Sequence, residues 1–109
     1  MTSNRKTIVT RMYADIRVVG EGLAVCLGFD DGPDGEKVTS VGMRLWSSDP
    51  AFGFGDSLGE VLFNIMRVAD VHAFDNVRGC PVRVVMQDDA PVPIELISAK
   101  DDRIRWRLS

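Results

Sequence analysis

Arginines at alternating positions are the residues of this chain best suited to chemistry. The sequence ends in RIRWRLS, with Arg103, Arg105 and Arg107 interleaved by Ile104, Trp106 and Leu108. Arg83 lies between Val82 and Val84, and Arg44 between Met43 and Leu45. Each guanidinium is a planar fork of donors that fits phosphate or carboxylate. The chain carries a formal net charge of −3, so the arginines are not the footprint of a generally basic protein. Any single outward strand residue is ordinarily just polar and solvated, here with Glu95 or an aspartate as a cross-strand partner. Brought together on neighbouring strands, the set would present several guanidinium groups on one side of a sheet.

A second candidate is AFGFGD (51–56), which leads into a helix start. Its glycines free the backbone, Phe54 offers a flat face for stacking, and Asp56 precedes the first helical turn. Exposed N–H groups and the helix dipole favour an anion at such a place. The ending Gly-Lys-Ser/Thr of a phosphate loop is absent. The plainer reading is that Phe52 and Phe54 plug the end of the core.

Catalysis has little to stand on. His72 is the single histidine, with no serine or cysteine arranged beside it as an activated nucleophile. Cys26 and Cys80 are far apart and in no C-x-x-C unit, so they read as small buried hydrophobes and not as zinc ligands. The acidic run DDGPDGE (30–36) lacks the spacing of a twelve-residue calcium loop and reads as a solvated hairpin tip. No metal, no cofactor and no enzymatic activity is expected.

The elements that must position these residues follow from periodicity. At 109 residues, 45% hydrophobic and 27% charged, the chain is expected to form one globular domain, 1–109, with residues 1–6 frayed. TIVTRMYADIR (7–17), LAVCLGF (23–29) and KVTSVGMRLW (37–46) read as strands, rich in β-branched and aromatic types. Gly42 inside the third suggests a bulge or a close approach. Leu58, Val61, Leu62, Ile65, Val68 and Ala69 then take helical spacing, and Ser57-x-x-Glu60 fits a capping box, giving a helix over about 57–70. Phe63 lies off that stripe, which suggests a second contact face and an oligomer. VHAFDNVRG (71–79) reads as a short helical turn closed by glycine. CPVRVVMQ (80–87), IELISA (94–99) and RIRWRL (103–108) are three more strands, with Val82, Val84 and Met86 inward. Three strands, a helix, a turn and three strands predict an α+β domain: an antiparallel sheet of five to six strands with one main helix packed on it.

The partners are bounded in the same way. A mildly acidic chain does not suit sequence-independent binding of DNA or RNA. No apolar stretch reaches the length of a membrane span, and MTSNRKT at the start has no apolar signal core, so a reducing cytoplasm is the expected compartment.

From Ser57 onward the sequence resembles a family of small phage proteins, the anti-Thoeris sponges. The pieces that carry the likeness are Val71, Phe74-Asp75, the stretch Gly79 to Val84, Ile94 to Ile97, Asp102 and Trp106, with VGMRLWSSDP as a looser echo. The resemblance implies a counter-defence protein that binds and hides a cyclic ADP-ribose-type signal, assembled from several copies, in the host cytoplasm if phage-encoded. It implies a small anionic nucleotide-like ligand held by Arg83, with Phe54 and Asp56 as further contacts; Arg44 and Arg105 are candidate contacts from the arginine pattern alone. The alternative expectation is a protein-protein interaction module that inhibits a host defence complex through its acidic surface.

Overall fold

The computed structural model describes residues 5–48, 58–88 and 90–108. Its elements run β1 (Lys6–Val19), β2 (Gly22–Phe29), β3 (Val41–Ser47), α1 (Leu58–Ala69), a 3-10 turn (Phe74–Val77), β4 (Cys80–Met86), β5 (Pro93–Ser98) and β6 (Arg105–Arg107). The fold is α+β. The strands form one antiparallel sheet in the order β3-β2-β1-β4-β5-β6, with α1 on one face.

The two hairpin halves meet along β1, the longest strand. Its first part, Lys6 to Met12, pairs with β4, and its second, Met12 to Val19, pairs with β2. The β1–β2 connection is two residues long, Gly20-Glu21, with Gly20 at φ 60°. A positive φ at the first loop residue is the arrangement whose twist matches that of the flanking strands, and glycine takes it without strain.

Period two sorts the side chains between the faces. Ile8, Met12, Val25, Leu27, Val82, Val84 and Leu96 point under the helix and are at most 3% exposed. From α1 the stripe Ile65, Val68 and Ala69 closes the core, with Val61 and Leu62 at its margin. Thr10 is buried among these apolar groups because its hydroxyl donates to the Asp30 carbonyl at 2.7 Å. Trp106 packs against the same core from β6, with Ile104 and Leu108 beside it.

Three details differ from the sequence expectation. Strand β6 is only Arg105–Arg107, because Asp102 and Arg103 form a turn, so Arg103 leaves the arginine row. The irregularity in β3 lies between its pairs with Leu23 and Ala24, where Trp46 and Arg44 face β2 and Leu45 is the extra residue; a side chain at Gly42 would meet open space. Cys26 and Cys80 are half-buried free thiols, Cys80 packed at the margin of the core, and not fully buried hydrophobes.

Candidate anion-binding face

Residues opposite one another in an antiparallel ladder share a face. Arg83 of β4 stands opposite Ile97 of β5, and Ile97 opposite Arg105 of β6. The next row is Val85, Glu95 and Arg107. Both rows lie on the side of the sheet away from α1, since their neighbours Val82, Val84 and Leu96 fill the core. Three arginines therefore border a small apolar floor formed by Ile97 and Val85, which are 5% and 9% exposed.

The guanidinium groups here are already engaged. Arg83, its side chain 25% exposed, donates from Nε to the Ser98 carbonyl at 3.1 Å. Its Nη2 reaches the same carbonyl and forms an ion pair with Asp102. Arg105 donates from Nε to the Asp102 carbonyl at 2.8 Å and pairs with Glu95 at 3.2 Å. Arg83 and Arg105 thus grip Asp102 from two strands. The Asp102 side chain is 75% exposed, so the carboxylate paired with Arg83 is itself reachable from solvent. Arg103 turns elsewhere, holding Asp101 with two nitrogens at 3.1 and 3.0 Å. That pairing keeps the Asp101 carboxyl below the usual range, mainly through the Arg103 side chain and then through the Arg103 backbone N–H.

The remaining predicted residues do not join this group. Arg44 faces Ala24, which faces Arg17, at the far end of the sheet. Along β1 that level is eight residues from Val9, the residue opposite Arg83, or roughly 26 Å at about 3.3 Å per residue. Phe54 and Asp56 lie outside the described residues, as do Phe52 and Ser57 of the expected loop and cap. Asp102 is the site residue that strand periodicity could not supply; its place is set by the β5–β6 turn, and the sequence singled it out only as part of the family resemblance, with no role attached.

A hollow of about 360 Å³ lies beside the end of α1, lined by Phe63, Met66, Arg67, Asp70, His72 and Ile104 among others. Phe63 is 60% exposed. The Arg67 guanidinium lies 5.9 Å from the Phe63 ring centre and donates to Asn64 at 2.9 Å and to the Arg105 carbonyl at 3.0 Å. His72 is exposed and lines this hollow. Among the described residues no group of three or more His, Cys, Asp or Glu side chains could hold a metal ion, and no helix is long and apolar enough to cross a membrane.

No protein-family model matches the chain, and neither a curated protein nor a solved structure does.

Proposed function

We propose that the protein binds a small anionic, nucleotide-like ligand at the β4–β5–β6 end of its open face and sequesters it without turnover. The observation that carries this reading is the row Arg83–Ile97–Arg105, in which guanidinium groups from two strands hold the same turn residue: Arg83 pairs with the exposed Asp102 carboxylate, and Arg105 donates to the Asp102 backbone carbonyl. A phosphate offers the same forked acceptor geometry as that carboxylate with more charge, and can take its place. Ile97 and Val85 provide an apolar floor beside it, where a charged contact is screened less than in open water. Binding of this kind needs no general base. The resemblance of the C-terminal half to anti-Thoeris sponges supplies the biological form of the proposal: a phage counter-defence protein that withholds a cyclic ADP-ribose-derived signal in the host cytoplasm, assembled as a homo-oligomer.

A second reading is an interaction module that blocks a host protein complex. Val9, Trp46 and Phe63 favour it, since they leave large apolar groups 59%, 40% and 60% exposed.

The test is calorimetric titration of cyclic ADP-ribose and a panel of linear and cyclic nucleotides into the protein, with chromatography of the ligand afterwards. Micromolar or tighter binding with unchanged ligand is expected. Arg83→Ala should weaken it by about 1.5–3 kcal/mol, the range for hydrogen bonds to charged groups. Asp102→Asn should tighten it, because the internal competitor loses its charge. Absence of binding to every nucleotide, with a host protein retained on the immobilised chain, would favour the interaction module.

A further inference from the structure

Strand β1 changes partners at Met12, and beyond that residue one of its edges has no strand beside it among the described residues. The backbone phase is fixed by two bonds. The Met12 carbonyl accepts from Gly79 at 2.8 Å on the β4 side, and the Arg11 carbonyl accepts from Asp30 at 3.2 Å on the β2 side. Even-numbered residues of β1 therefore direct their N–H and C=O groups toward the β4 side, and past Met12 those of Ala14, Ile16 and Val18 point off the edge of the sheet. The side chains there are apolar and open: Ile16 is 44% and Val18 76% exposed. A hollow of about 460 Å³ borders this edge, with Ala14, Asp15 and Ile16 on one side and Phe74, Asp75 and Arg78 on the other. An edge of this kind is a template for strand addition, and proteins ordinarily blunt it with charge, proline or a covering loop.

We infer that this edge is a homodimer interface, in which β1 of one copy pairs antiparallel with β1 of a second about a two-fold axis at Ile16. The occupant is identified by charge. Asp15 and Arg17 share the open face of the strand two residues apart, where they pair within the chain at 3.0 Å. With the axis at Ile16, Asp15 of each copy stands directly opposite Arg17 of the other. Ile16 then faces its own copy and Val18 faces Ala14, all exchanging the backbone bonds that the lone chain leaves pointing outward. Neighbouring registers fail. An axis at Asp15 or at Arg17 sets like charge against like, and an axis at Ala14 sets Arg17 against Arg11; like charges directly opposite are destabilising. One register thus satisfies the backbone and both charges at once, and it buries Ile16 and Val18 on the other face. The two sheets become one continuous sheet. This inference does not depend on the ligand proposed above, which would sit at the opposite end of β1.

Sedimentation velocity over the micromolar range tests it. The wild-type chain should sediment as a dimer or an even assembly. Asp15→Arg and Arg17→Asp, each leaving circular dichroism unchanged, should halve the mass. The exchange Asp15→Arg with Arg17→Asp should restore it, because the exchanged pair is again self-complementary. Ile16→Pro, which removes an N–H that the β1–β2 ladder does not use, should also halve the mass. A monomeric wild type, or a mass that the single charge reversals leave unchanged, would overturn the inference. So would halving by Phe63→Glu with no effect of the reversals, which would put the contact on α1.

Discussion

Gly22 illustrates how a single position is constrained by something far from it in sequence. A methyl group there would run into the Trp46 carbonyl of β3, because the two strands approach closely where β3 carries its extra residue. The clash is with backbone, which cannot rotate away as a side-chain tip can. Gly22→Ala should therefore cost about 1–3 kcal/mol, the scale of overpacking that shifts main chain, read as a lower urea midpoint with unchanged slope. Gly42 makes a useful contrast: a side chain there meets nothing, so Gly42→Ala should be close to neutral or stabilising. Sequence periodicity singled out Gly42 because it interrupts a strand pattern, and passed over Gly22 because it opens β2 just before the apolar run that marks the strand. The pattern senses propensity and not the tertiary approach of another strand. The arginines divide for the same reason. Alternation alone put Arg83 and Arg105 on outward positions, but that Arg44 belongs elsewhere follows from strand order, which no local pattern encodes.

At the scale of elements, the apolar stripe of α1 was readable because its positions recur at helical spacing, and Ile65, Val68 and Ala69 are buried accordingly. The way the helix stops was not. Asp70 occupies the left-handed region at φ 60°, and the terminus is closed by Asp70 N–H to the Arg67 carbonyl at 3.2 Å and Val71 N–H to the Met66 carbonyl at 3.0 Å. This is the double bond of a Schellman end, a place usually filled by glycine. Aspartate tolerates the conformation better than most residues, and here it also pairs with Lys100 at 3.1 Å on the β5–β6 turn. Asp70→Gly should relieve about 1 kcal/mol of backbone strain while giving up an exposed ion pair and gaining unfolded-chain entropy, for a net rise in stability of roughly 0.5 kcal/mol. Lys100→Ala, measured in parallel by thermal unfolding, isolates the ion pair and should change little. A clear loss of stability in Asp70→Gly would mean that the carboxylate, and not the backbone, governs this end. The signal was hidden because a stop at aspartate looks like ordinary polar surface.

At the scale of the whole molecule, charge ties distant segments together and sets the response to acid. Lys6, at the start of β1, pairs with Glu36 in the long β2–β3 connection, and Arg103 holds Asp101 in the turn before β6. The Lys6 ammonium, followed by the backbone N–H of Glu36 itself, keeps the Glu36 carboxyl below its ordinary range; Asp101 is lowered in the same direction by Arg103. With a lower pKa in the folded state, the unfolded chain binds more protons across the interval between the two values, so stability rises with pH there. The contribution is complete above about pH 5, beyond the unfolded carboxylate range, and is lost as pH falls through the depressed folded values. Urea unfolding at a series of pH values should give a stability curve flat from neutrality to about pH 5 and falling below it. Glu36→Gln and Asp101→Asn should each make the acid limb shallower, and should lower the neutral plateau only slightly because both pairs are solvent-screened. Added salt should compress the difference between each variant and the wild type, since exposed pairs weaken as ionic strength rises. An acid limb equally steep in both variants would assign the acid response to groups other than these two.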